Sequence, residues 1–225
     1  MLETEGVTRF RALHQEGPLD EAGAAQAAPA LLAWRRLLHQ LALIGQQPQR
    51  YGGLGFGNVS VRLGPPRAAP GSRPFLITGT QTGAPERLPV DQLCVVTRYE
   101  LQHNAVHSRG PVRPSSEALT HGAIYDLSAR IGAVLHVHSP VLWQQARALG
   151  LPQTPADVAY GTVEMARAVQ RLDDATEHAG PRARARVWVM AGHEDGVIAW
   201  GRDLDQAGAA LLCELARAYA LPMGS

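Results

Sequence analysis

Residues 131–140 read IGAVLHVHSP, so two histidines, His136 and His138, stand one residue apart in an otherwise apolar run. On a β-strand, positions i and i+2 face the same side. That spacing presents two imidazoles together, a bidentate claw suited to zinc and related first-row ions. The competing reading is a pair of hydrogen-bonded polar residues, or one face of an exposed edge. Ile131, Ala133, Val134 and Leu135 weigh against it, because polar groups buried among apolar neighbours need partners. A third donor is His193 in MAGHEDGV, at a turn that follows another apolar strand. Three histidines and one open position make the catalytic zinc pattern, whereas a structural site takes a fourth protein ligand, often cysteine. Neither Cys94 nor Cys213 is near the three histidines in sequence. Of the remaining histidines, His103 and His107 read as a polar loop, His14 and His178 have polar surroundings, and His39 falls in a helix. His121, four residues after Glu117, is left open, with a supporting place behind the ligands as one reading.

Glu117 follows Pro114-Ser115-Ser116 at the start of a helix. It reads simply as an acid favoured by the helix dipole. The same helix start also offers two hydroxyls and free backbone N–H groups, which suit an anion. Two other turns, GFGNVS with Asn58 and TGTQTG with Thr82 and Gly83, carry further amides. A Gly-rich turn alone means little; the three together predict a phosphate or carboxylate pocket. It would be a pocket without lysine, because all 21 basic residues of the chain are arginines. A lysine Schiff base is therefore excluded, and carbanion chemistry needs another electron sink. A metal ion would serve.

These residues need elements to hold them. ALLAWRRLLHQLALI predicts a helix from about Pro29 to Ile44, preceded by a flexible Ala/Gly-rich lead-in over residues 1–28. GNVSVR, PFLIT, QLCVVTRYE and GAVLHVHS predict strands. PSSEALTHGAIYDLSAR predicts a helix capped by Ser115 or Ser116, and SPVLWQQARALG and EMARAVQRLDDATEHA predict two more. ARVWVMAGHEDGVIAWG reads as a hairpin turning at HEDG, and DLDQAGAALLCELARAYAL as a closing helix capped by Asp203. Helices and strands thus mix within one domain of a 225-residue chain. The net charge of +1 points to neither nucleic acid nor an anionic membrane. Two distant cysteines, no apolar run near the roughly 18 residues of a membrane span, and acids in MLETEGVTRF lead to the expectation of a soluble cytoplasmic protein.

GNVSVR, FLITGTQTG, PSSEALTHGAIYDL, AVLHVHSP and GHEDGVIAWGRDLDQA, in this order and spacing, resemble the class II aldolase/adducin family. The resemblance runs from about residue 30 to 220. It implies that residues 29–225 form a single α/β domain, a three-layer αβα fold with a largely antiparallel central sheet. It also implies a homotetramer with sites at subunit interfaces. By the same resemblance His136, His138 and His193 bind one Zn2+ or another divalent first-row ion per chain. Glu117 is both a ligand of the resting site and the acid/base acting next to the carbonyl. Asn58, Thr82, Gly83, Ser115 and Ser116 match positions that hold a substrate phosphate, and Tyr160 falls near a proton-donating tyrosine. The implied activity is a zinc-dependent aldolase acting on a phosphorylated ketose or related 2-hydroxy-carbonyl compound through a metal-stabilised enediolate. Epimerase and dehydratase chemistry on the same metal site stay open, as does a non-catalytic adducin-like binding module. The GTQTG loop is longer than in the aldolases and the third histidine sits in GHEDG, so the identity of the sugar does not carry over.

Overall fold

A computed structural model describes residues 8–65, 67–177 and 186–222 of the protein. His178 and the end of the helix predicted around it lie outside these residues. Ten strands occur among the described residues. In chain order they are β1 (Arg11–Glu16), β2 (Gly45–Gln46), β3 (Gly55–Phe56), β4 (Asn58–Arg62), β5 (Phe75–Thr78), β6 (Leu93–Glu100), β7 (Ala105–Gly110), β8 (Ala133–His138), β9 (Val187–Val189) and β10 (Gly196–Gly201). Eight of them form one sheet in the order β1-β7-β6-β5-β4-β8-β10-β9, and β2 and β3 form a separate ribbon. Every neighbouring pair in the large sheet is antiparallel except β1 with β7.

The strand period sorts side chains into two cores. On β8, Ala133, Leu135 and Val137 face a core shared with α1 (Ala24–Gln40), α3 (Pro140–Leu149) and α5 (Leu204–Ala220). Val134 faces the opposite core, packed by α2 (Ala118–Leu127) and α4 (Val163–Glu177). β10 repeats the pattern, with Val197 and Ala199 on the first side and Ile198 and Trp200 on the second. The result is three layers, with helices on both faces of a sheet buried on both sides. His136 and His138 share the parity of Val134, so both imidazoles project toward the α2 and α4 layer.

Some local structure differs from the sequence expectation. The segment read as a lead-in carries β1, whose Arg11–Glu16 run parallel to Ala105–Gly110 of β7. Helix α1 starts at Ala24 and contains Pro29. Burial of Ala24, Ala28 and Leu31 against the first core, together with the helix preference of alanine, offsets the one backbone bond that the proline removes. The stretch around His107, expected as a loop, is strand β7; ladders to β1 and β6 on its two sides hold it although its side chains scarcely alternate. Helix α2 begins later than expected. Glu117 occupies its N-cap position, while Ser115 Oγ accepts a hydrogen bond from the Glu117 amide at 3.2 Å. The expected cap at Asp203 does form, its side chain accepting from the Gln206 amide, and Ser139 caps α3 in the same way through the Leu142 amide.

Candidate metal centre

Three strand-borne or turn-borne histidines meet at one end of the sheet. Each of His136, His138 and His193 offers a ring nitrogen, and these atoms lie within 4.8 Å of one another. His136 and His138 come from β8, opposite Ile198 and Gly196 of β10. His193 comes from the β9–β10 turn, where its amide donates to the Met190 carbonyl and its carbonyl accepts from the Gly196 amide, both at 2.9 Å. Gly192 is required in that turn, since a Cβ there would stand 2.2 Å from the Val158 carbonyl oxygen. All three imidazoles are buried. Burial first, and then the neighbouring His193, pushes His136 and His138 well below the usual histidine range, while the backbone of Val197 and of Glu194 acts the other way. Both rings are therefore neutral at neutral pH, the form that ligates a metal.

Glu117 Oε1 lies 3.8 Å from His193 Nδ1, too long for a hydrogen bond, and its side chain is 1 % exposed. The carboxylate thus stands beside the cluster without belonging to the group of three mutually close donors. Neither cysteine joins this group: Cys94 is buried within β6, and Cys213 is exposed on α5. Three buried imidazoles with an adjacent carboxylate suit a divalent first-row cation, zinc included.

Tyr160 stacks on His193 with ring centroids 4.4 Å apart. The Arg9 guanidinium lies over the Tyr160 ring, 4.7 Å from its centroid. His121 does not join the cluster. Ser60 Oγ bridges it to Tyr125, at 2.7 Å from His121 Nδ1 and 2.8 Å from Tyr125 Oη, and burial lowers the pKa of His121 to about 3. Two residues that sequence reasoning missed close the other side. The Tyr51 ring meets His138 edge-on, centroids 4.5 Å apart, and its hydroxyl donates to Asp195 Oδ2 at 2.6 Å. Arg50 supports both, donating to the Tyr51 hydroxyl at 2.5 Å and lying 3.5 Å from Asp195. Tyr51 and Asp195 have φ of 49° and 60°, a region that non-glycine residues rarely enter and that clusters at functional sites. An aromatic inside YGGLGF and an acid inside HEDG were the available signals.

Next to the histidines is a small pocket lined by Gly55, Gly57, Asn58, Gly79, Thr80, Gln81, Thr82, Gly83, Ser115 and Ser116. It contains all five residues expected to hold a phosphate. Asn58 pairs with His136 across β4 and β8, and Ser116 directly precedes Glu117, so the pocket adjoins the metal centre. The Thr82 hydroxyl donates to the Gly79 carbonyl at 2.8 Å, so its proton is already committed within the loop. Asn58 Oδ1 is buried and has no hydrogen-bond partner among the described residues, a polar atom that a polar ligand would satisfy.

Comparison with known proteins agrees with this architecture. The family model "Class II Aldolase and Adducin N-terminal domain" matches residues 46–220, and the chain belongs to that family. A methylthioribulose-1-phosphate dehydratase from Hahella chejuensis is 33% identical over 121 residues, 50% of this chain and 52% of the relative, so the match spans about half the length of that protein. The L-ribulose-5-phosphate 4-epimerase UlaF from Salmonella paratyphi B is 28% identical over 180 residues, covering 72% of this chain and 76% of the relative. Two solved structures share the fold. YgbL from Klebsiella pneumoniae, described as a putative aldolase/epimerase/decarboxylase, has a TM-score of 0.61 at 19% identity, covering 88% of this chain and 89% of its own. An L-fuculose-1-phosphate aldolase from Thermus thermophilus has a TM-score of 0.54 at 19% identity, covering 89% and 99%.

Proposed function

We propose that this protein is a metal-dependent enzyme of the class II aldolase type, a carbon–carbon lyase acting on a small phosphorylated ketose or a related 2-hydroxy-carbonyl compound. The observation that carries the reading is the set of three buried, mutually close imidazoles beside Glu117, adjoining a pocket of amides and hydroxyls. His136, His138 and His193 hold the ion, with Glu117 as a further ligand of the resting site. Zinc is the first candidate for the donor set. Such an ion supplies Lewis-acid stabilisation of charge developing on a carbonyl oxygen. Glu117, buried and one residue from the anion pocket, takes or returns the proton at the carbon next to that carbonyl. Asn58, Thr82, Gly83, Ser115 and Ser116 orient the substrate through its phosphate. Tyr160, stacked on His193, is the candidate proton donor to the aldehyde oxygen in the condensing direction, and takes the corresponding hydroxyl proton in cleavage. The enzyme works in the cytoplasm as a homotetramer.

Dehydration of a ketose phosphate on the same residues is the second reading. It is favoured by the 33% identity to a protein named as a dehydratase of a phosphorylated ribulose derivative. Dehydration begins with proton removal next to the carbonyl, whereas cleavage begins at a hydroxyl proton and ends with proton return next to the carbonyl, so the bond that breaks separates them. The test is incubation of metal-loaded protein with a panel of phosphorylated ketoses, with products followed by mass spectrometry. Two carbonyl fragments establish the lyase. Loss of one water from an intact chain establishes the dehydratase, and a chromatographically separated isomer of equal mass the epimerase. No turnover of any ketose phosphate by folded, metal-loaded protein contradicts the enzyme reading and favours a binding module.

A further inference from the structure

The pocket proposed to hold phosphate has no cationic side chain in its lining, yet a cation stands directly behind it. Arg35, on α1, is 1 % exposed. Its Nη2 donates to the carbonyls of Thr82 and Gly83 at 2.9 and 2.8 Å. Its Nη1 donates to the carbonyl of Glu86 at 2.8 Å and to that of Pro85. Among the described residues no carboxylate forms an ion pair with it: the Glu86 carboxylate turns to Arg36 instead, at 2.8 Å. Burial lowers its pKa to about 10, so the guanidinium stays charged at neutral pH. A buried charge without a counter-ion is costly unless something compensates it. Four carbonyl dipoles do part of this, and an anion on the far side of the loop would do the rest.

The backbone makes that connection. In a trans peptide the C=O and N–H point in opposite directions, and the described residues contain no cis bond. Turning the Thr82 and Gly83 carbonyls toward Arg35 therefore turns the Gly83 and Ala84 amides away from it. The Gly83 nitrogen lies 3.1 Å from where a Cβ on Gly55, another lining residue, would stand. Gly83 itself has no room for a side chain, since its Cβ would meet the Gly45 carbonyl oxygen at 2.1 Å. The loop is thus held between the guanidinium and the β2–β3 ribbon, with the Gly83 and Ala84 amides on the side away from Arg35.

We propose that Arg35 is the positioning residue of the anion pocket, supplying from behind the loop both the orientation of its amides and the positive charge that selects a dianionic phosphate. The proposal rests on the anion-pocket reading above. The test titrates inorganic phosphate into metal-loaded wild-type, Arg35→Met, Arg35→Lys and Ser116→Ala proteins by calorimetry, on both sides of the second ionisation of phosphate. Wild-type binding that is lost in Ser116→Ala locates the phosphate in the pocket. Absence of wild-type binding, or binding untouched by Ser116→Ala, overturns the pocket reading and this inference with it. Given pocket binding, folded Arg35→Met with unchanged metal content is expected to bind the dianion roughly tenfold or more weakly and to lose the preference for dianion over monoanion. Arg35→Lys, which keeps the charge and not the four-way fork, is expected to regain that preference. Wild-type affinity in Arg35→Met overturns the assignment while the pocket stands. So does an equal loss of both ionisation forms in Arg35→Lys, which would mark a purely structural arginine. Should Arg35→Met fail to fold, the dianion preference of Arg35→Lys alone decides, retained in support or lost against.

Discussion

In the proposed mechanism Glu117 and the three histidines have separable tasks, and substitution should separate them. Glu117→Gln keeps the size of the side chain beside His193 while removing the proposed base. We expect it to retain its metal and to lose turnover by about 10²–10⁴-fold, checked by metal analysis alongside the product assay; a variant with wild-type rates would remove Glu117 from the proton-transfer role. The histidines were legible because the strand period alone puts His136 and His138 on one face, and because His193 sits in a recognisable turn. Tyr51 was not legible, since its hydroxyl meets an acid 144 residues away. A contact of that range follows from strand order, and nothing in YGGLGF announces it. Arg35 escaped for a similar reason: within LLAWRRLLHQ it reads as one of two surface arginines, and only the packing of α1 against the loop at residues 82–86 buries it.

At the scale of elements, the strands around the site were readable because both faces of the sheet are buried and alternate between two apolar cores. β7 was hidden by its polar composition, HNAVHSRG, which a strand tolerates when neighbours on both sides supply the ladder. The start of α1 was hidden by Pro29 and the start of α2 by its serines, which line the pocket and leave the N-cap position to Glu117. Helix α5 is the clearest test of a sequence-level cap. Its Asp203 carboxylate accepts from the Gln206 amide at 2.7 Å, so Asp203→Ala should cost about 0.5–2 kcal/mol in denaturant unfolding. An unchanged midpoint would show the cap to be replaceable by water. Thiol chemistry checks the packing of β6 and α5 independently. Cys213 is exposed, while Cys94 is buried and its thiol is pushed up by that burial. A thiol reagent should modify Cys213 in the native protein and reach Cys94 only on unfolding; early modification of both would contradict the core around β6.

Taken as a whole, the molecule separates what holds the sheet from what the sheet carries. The two apolar cores lie on opposite faces and extend along most of the eight strands, whereas the histidines occupy one end of β8 and one turn. Chelation should therefore leave the far-ultraviolet spectrum intact and lower stability only through lost binding, by about 4 kcal/mol if the ion was present at roughly 1,000 times its dissociation constant. Unfolding on chelation would instead make the metal part of the fold. The fold class was accessible from sequence because motifs in one order resemble one family; the reaction was not, because the proposed cleavage, dehydration and epimerisation would each use the same three histidines and the same carboxylate. The measurement that bears most directly on the account is the metal content of protein purified without added metal and then equilibrated with zinc, beside His136→Ala and His193→Ala. The account predicts about one ion per chain in the wild type and loss of it in both variants, each still folded. A folded wild type that binds no zinc, or variants that keep a full complement, would contradict the three-histidine centre.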